Sequence, residues 1–198
     1  MAQEAMTLPW AGSFGMEQTL CRQLITKAKA GDAAAFERIV TLNERTVLRV
    51  ARRLLGGSED ARDAAQEVFI RLHRGLARFD DSRDLAPWLY RVTVNICRDF
   101  KRRTKMDLPL ETAQHTAGHL RTPEQSILLA QQYEMVLTAL ATLSQREREA
   151  IVLRDLEGCP TSEVARILGS SEATVRSQLS TGRMKMKKLL VDRIGRRA

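Results

Sequence analysis

Aromatic residues are scarce, at 5% of 198 residues with only two Trp and two Tyr. Any core must therefore be built from Leu, Val, Ile, Ala and Met, which, β-branched members aside, are good helix formers. Cysteine is rare too. Cys21, Cys97 and Cys159 are odd in number and lack CxxC spacing, which argues against a disulfide framework and for a reducing compartment. No apolar run approaches the roughly 18 residues that span a bilayer. The first residues lack a basic start followed by an apolar stretch, so no signal peptide is expected and the expected location is the cytoplasm. Alternation of apolar and polar residues is nowhere sustained, which leaves no case for a sheet. Catalytic signatures are missing as well: there is no phosphate-cradling glycine loop and no Ser/His/Asp set. His115 and His119 stand four apart, but in a stretch without helical pattern and without a third ligand nearby. Cys159, just before Pro160, reads as a packed thiol. No enzyme activity, metal or cofactor is expected.

What the chain has is positive charge and helical periodicity. Lys and Arg number 32 against 24 Asp and Glu, a formal charge of +8 with a pI near 9.9, which suits a polyanionic partner. Residues 1–22, with Pro9, Gly12 and Gly15, carry only a weak pattern and read as a flexible extension. Asp32 is a good N-cap for a helix that carries Phe36, Ile39, Val40, Val47, Val50, Ala51, Leu54 and Leu55, bends once and stops at Gly56-Gly57. A second helix opens at Ser58 or Glu59 and runs to about Leu76. A third begins near Leu85 and ends in the basic run Lys101, Arg102, Arg103. Met106–Pro123 loses apolar periodicity and reads as a flexible linker. Helical pattern returns from Glu124. The expected architecture is all-α: a domain over 23–105, a linker over 106–123 and a second domain over 124–198.

The second half carries the sharper signal. Val164, Ala165, Ile167 and Leu168 pattern a short helix that Gly169 ends. Ser171 can cap the next helix, with Glu172 in its first turn, where a carboxylate favours the positive end of the helix dipole. Val175, Leu179, Gly182, Met186 and Leu189 then form one stripe. Arg176, Ser177, Ser180, Thr181 and Lys188 lie off it. A short helix, a glycine turn and a helix with a small-polar and basic outer face meet the requirements of major-groove reading. In the first half, the helix from Asp60 to Leu76 has two faces. Ala61, Ala65, Val68, Phe69, Leu72 and Leu76 make a buried stripe. Asp63, Gln66, Glu67, Ile70 and Arg74 make a second face, with an isoleucine among polar neighbours.

The stretch Leu143–Leu190, with Leu143-Ser144, Arg146-Glu147-Arg148, Leu153, Glu157-Gly158, Glu163-Val164-Ala165, Leu168-Gly169, Thr174-Val175 and Arg183, resembles the region-four domain of extracytoplasmic-function (ECF) sigma factors of bacterial RNA polymerase. The Asp63, Gln66, Glu67, Phe69 pattern and the run Trp88-Leu89-Tyr90-Arg91 with Asn95 resemble the region-two domain of the same family. The two matches cover about 31–103 and 124–190, in the family's order. The resemblance implies an alternative sigma factor whose partners are core RNA polymerase, promoter DNA and an anti-sigma factor. It implies docking on the β′ clamp helices through Asp63, Gln66, Glu67 and Ile70, with the β flap as the other contact on core. Opened minus-ten DNA would be met by the loop Asp80, Asp81, Ser82, Arg83, Asp84 and by Trp88, Arg91, Asn95, Arg98 and Lys101 on the helix that follows. Tyr90 is an aromatic that could stack on a base, as could Trp88, which also lies close to an apolar stripe. The minus-thirty-five element would be read by Arg176, Ser177, Gln178, Ser180 and Thr181, with Arg183 and Lys188 on phosphates.

The chain departs from the family pattern at Gln178, where a basic residue is usual, and at Ser180-Thr181, Ser170, Met184 and Gly182, the last in place of alanine. The fold expectation survives these changes, but a family minus-thirty-five motif does not transfer directly. The competing functions are a one-component helix-turn-helix regulator with an N-terminal helical sensor, and a recombinase. The recombinase needs a nucleophile among converging arginines, and the first half offers no convincing set.

Overall fold

The computed structural model describes residues 14–80, 83–107 and 123–195. Side chains are described from Leu20 to Arg103 and from Gln132 to Val191, apart from Ser58, Leu190 and the loop positions 81 and 82. Among these residues every regular element is a helix. In the first unit α1 spans Phe14–Lys29, α2 Ala33–Leu55, α3 Ser58–Gly75 and α4 Leu85–Asp107, with a 3-10 turn at Leu76–Arg78. In the second, α5 spans Pro123–Ala141, α6 Gln145–Ile151, α7 Thr161–Leu168 and α8 Glu172–Gly195. A π turn at Val152–Leu156 continues α6. The linker expected over 106–123 falls mostly on 108–122, outside the described residues.

Local chemistry accounts for the boundaries. The Asp32 side chain accepts the Ala35 amide at 3.0 Å and starts α2, and Gly56, left-handed at φ 87°, ends it. Ser144 and Glu147 form a reciprocal capping box at the start of α6. Two expectations need correction. The supposed flexible extension is helical from Phe14, and Ile25 of α1 is fully buried against the first unit. And α2 is one continuous helix of 23 residues without the expected break. Its buried residues Ile39, Val47, Val50, Ala51 and Leu54 keep helical spacing throughout, so nothing in the packing asks for a bend.

Ile39, Val50, Leu54, Ala61, Val68, Leu72, Leu89, Val94 and Ile96 form the core of the first unit. Leu140, Ile151, Val152, Leu153, Val164, Ile167, Leu168, Val175 and Leu179 form that of the second, and the two clusters are continuous. Arg148 extends the connection. Its guanidinium donates to the carbonyls of Leu140, Ala141 and Leu143 in its own unit and to that of Leu54, at 3.0 Å, in the other. It thereby reaches carbonyls at and just beyond the ends of α5 and α2, where the helical ladder runs out.

Candidate nucleic-acid interface

The α7–α8 corner is fixed by the backbone and by one hydroxyl. Gly169 sits at φ 63° and ends α7, and the Ser170 amide returns to the Ala165 carbonyl at 2.9 Å. The Ser171 hydroxyl accepts the Thr174 amide at 3.1 Å and starts α8. Val175 and Leu179 are buried, and Gly182 lies against Ile151 of α6. With that stripe inward, Arg176, Ser177, Ser180, Arg183 and Lys188 are exposed, as expected. Gln178 does not join them. It is half-buried, and its Oε1 is enclosed with no hydrogen-bond partner, because it stands next to the buried stripe rather than opposite it. Thr181 is half-buried at the rim.

The exposed arginines are already paired. Arg176 donates to Glu172 at 2.5 Å, one turn back on α8. Arg183 grips Asp155 with two bonds, at 2.9 and 2.6 Å, and this carboxylate raises its pKa, with burial acting the other way. Between α8 and the π turn lies a hollow of about 390 Å³ lined by Arg154, Thr161, Arg176, Leu179, Ser180 and Arg183. Three guanidinium groups and two hydroxyls around one hollow suit a phosphate. Arg154 and Thr161 were not among the expected site residues. They reach the hollow because the π turn and the start of α7 pack back on α8, a long-range result with no periodic trace in the sequence.

In the first unit, α3 presents Asp63 and Gln66 exposed and Glu67 and Ile70 half-buried, beside one hollow of about 370 Å³. Ile96, Asp99, Phe100 and Arg103 of α4 form its other wall. The four expected docking residues are thus brought together, and Glu67 is held by Arg71 at 2.8 Å. On the opposite flank of α3 lies a wider apolar groove of about 660 Å³, with Phe36, Val40 and Leu48 of α2 facing Phe69 and Ile70.

Along α4, Arg91 and Asn95 are exposed. Trp88 is half-buried, its ring edge-on to Phe79 with centroids 6.0 Å apart, so it packs more than it projects. Tyr90 is buried and donates to Glu157 at 3.3 Å, which removes it as a stacking platform in this arrangement. Burial first, then Glu157, pushes its phenol well above the ordinary range. Arg98 is bound by both oxygens of Glu149, at 2.8 and 2.6 Å. In the loop before α4, Asp80 pairs with Arg83 at 3.1 Å and Asp84 with Arg22 at 3.5 Å, while Asp81 and Ser82 lie outside the described residues. Lys29 donates to the Phe79 carbonyl at 2.5 Å and ties the start of this loop to α1.

A helix-turn-helix with a cationic outer face, carried on the second of two helical units, defines a DNA-binding protein. The model of Sigma-70 region 2 matches residues 39–106, and that of Sigma-70, region 4 matches 133–186. The chain is 33% identical over 184 residues to the ECF RNA polymerase sigma factor SigM of Mycobacterium tuberculosis, covering 92% of this chain and 90% of the relative. It is 27% identical over 185 residues to the ECF RNA polymerase sigma factor SigW of Bacillus subtilis, covering 88% and 99%. The solved structure of CnrH in complex with the cytosolic domain of CnrY has a TM-score of 0.66 at 25% identity, covering 87% of this chain and 98% of that one. The chain belongs to the ECF RNA polymerase sigma factors. It is an alternative sigma factor, a non-enzymatic subunit that binds core RNA polymerase and promoter DNA and directs transcription initiation. The stand-alone regulator is not favoured. No described helix is long and apolar enough to cross a membrane.

Proposed function

We propose that the chain divides the promoter between its two units. The second unit, 124–198, reads the minus-thirty-five element as duplex through Arg176, Ser177 and Ser180. Arg154, Thr161, Arg183 and Lys188 hold phosphates around the reading face, and Thr181 lies at its edge. The first unit, 23–105, meets opened minus-ten DNA through the loop at 80–84 and through Trp88, Arg91, Asn95, Arg98 and Lys101, with residues 106–123 as tether. Asp63, Gln66, Glu67 and Ile70 dock on the β′ clamp helices, the β flap takes the second unit, and the protein works in the cytoplasm. An anti-sigma factor is the natural regulator, by analogy with the complex in which CnrH is held with CnrY.

The observation that carries this reading is the outer face of α8, where Arg176, Ser177 and Ser180 stand exposed directly after the Gly169 corner. Arg176 is the one long cation on that face before Arg183. The Glu172 carboxylate steadies its guanidinium through one bond and can be exchanged for a guanine edge, which takes arginine through two. Holoenzyme carrying Arg176→Ala, tested on promoters with single-base changes in the upstream element, should lose preference at one position, with a cost of about 1–3 kcal/mol. A uniform loss of affinity with unchanged base preference would make Arg176 a phosphate contact and move specificity to Ser177 and Ser180.

A further inference from the structure

Helix α1 lies outside the surfaces assigned to DNA and polymerase, yet it holds both ends of the loop assigned to minus-ten DNA. Arg22, Ile25 and Lys29 are spaced three and four apart and so share one face of α1. Ile25, in the middle, is 1% exposed and seats the helix in the core of the first unit. Lys29, one turn on, donates its ammonium to the Phe79 carbonyl at 2.5 Å, across 50 residues of chain. Phe79 is where the 3-10 turn Leu76–Arg78 gives way to extended backbone, at φ −67° and ψ 133°. Its ring packs edge-on to Trp88, so the tie also bears on the start of α4. Arg22, one turn back, reaches Asp84 at 3.5 Å, the last residue before α4. Within the loop the Arg83 amide returns to the Asp80 carbonyl at 3.0 Å, and their side chains pair at 3.1 Å.

Resting on that reading of the loop, we propose that α1 is a brace for minus-ten recognition. Lys29, with Arg22 in support, is a positioning residue that fixes the loop before DNA arrives and so sets which base it accepts. Charge explains why a brace is needed. Positions 80–84 hold three aspartates and one arginine. A loop of net negative charge is repelled by the phosphate backbone, so the incoming strand does not draw it into shape. What it offers an unstacked base is hydrogen-bond acceptors for amino edges. Discrimination by such acceptors depends on where they stand, and a loop that has to be ordered on binding forfeits part of the free energy of recognition. The cations of α1 oppose the loop's charge and fix its ends in advance.

The two ties differ in weight. Lys29 is half-buried and makes a short bond, and a charged donor on a carbonyl is stronger than a neutral pair. The contact of Arg22 with Asp84 is long, and both side chains lie largely in water, where such a pair contributes little. Lys29 is therefore the main tie and Arg22 the lesser one.

The test uses holoenzyme formed with the full chain, on promoters with single-base changes in the minus-ten element. Lys29→Met keeps the apolar stem and removes the donor. It should lower discrimination at one minus-ten position on the order of threefold to tenfold, with the salt dependence of binding unchanged. Arg22→Ala, a surface change that leaves the fold intact, should have a smaller effect at the same position. Lys29→Arg, which keeps a cationic donor, should restore the wild-type preference. In the free protein carrying Trp10→Phe, Trp88 is the single tryptophan. Its quenching by acrylamide should rise in Lys29→Met and return to the starting level in Lys29→Arg. A uniform loss on all promoters with a flatter salt dependence overturns the proposal, because it makes Lys29 a phosphate contact. So does a folded Lys29→Met with wild-type base preference, or with unchanged quenching of Trp88. Asp80→Ala with Arg83→Ala, in the loop itself, separates two ways of failing. If this pair leaves minus-ten preference untouched, the promoter assignment of the loop falls and the brace with it. If it alters preference while Lys29→Met does not, the brace alone falls.

Discussion

Glu147 shows how much one side chain can hold. Its carboxylate accepts the Ser144 amide at 2.9 Å in the capping box and takes Lys185 of α8 at 2.8 and 2.9 Å, so it starts α6 and ties α8 to it. Lys185 chiefly, then Ser144, hold its carboxyl below the ordinary value, against a smaller opposing effect of burial. A carboxyl lowered in the folded state contributes stability above its unfolded value and loses it as pH falls through the folded one. Glu147→Gln keeps an acceptor for the capping box and removes the charge. Wild type should therefore be more stable than Glu147→Gln at neutral pH, and the gap should close as pH falls below the ordinary carboxylate range. Urea unfolding at a series of pH values checks this, and a gap that is constant with pH would rule out the ion pair as its source.

Helix α8 approaches α6 through a position without a side chain. A Cβ on Gly182 would stand 3.0 Å from Cγ1 of Ile151 and 3.6 Å from Cβ of Glu147. Alanine there gains about 1 kcal/mol of helix propensity. Ile151 is 2% exposed and cannot give way cheaply, and overpacking of this kind costs about 1–3 kcal/mol. Gly182→Ala should therefore lower stability by about 1 kcal/mol in urea unfolding; a stabilised variant would contradict this packing. The sequence showed the absence of alanine at this position but not its cause, because the contact lies 31 residues away along the chain. The same distinction runs through the molecule. The faces of α3 and α8 and the glycine stops at Gly56 and Gly169 were legible, since they depend on local spacing and backbone freedom. Helix α1 before residue 22 was not, because its pattern is weak and its order comes from docking Ile25 on the first unit. Tyr90 was misjudged for a related reason: Glu157, which meets its hydroxyl, comes from the other unit. Arg154 escaped notice because a π turn resets the helical register on which the pattern was read, and Thr161 because it reaches the same hollow only through the packing of the start of α7 near α8.

At the scale of the whole chain, the two units have different tasks and a shared boundary. One side of the first unit, along α3, carries the docking face proposed for polymerase, and the outer face of α8 the one proposed for duplex DNA. Between them the arginines of α2 and α4 meet the glutamates of the second unit. On the reading proposed above, DNA reading by this chain is put to use only on core polymerase, through the α3 face. The direct measurement is promoter-specific transcription by purified core polymerase with added protein, comparing wild type with Asp63→Lys, Glu67→Lys. Both side chains lie at the surface, and Glu67 gives up only its pair with Arg71, worth about 0.3–0.5 kcal/mol, so the double variant should stay folded. Wild type should produce transcripts from defined start sites, and the double variant should lose core binding and those transcripts while unfolding as cooperatively as wild type. A double variant that binds core and initiates normally would contradict the account.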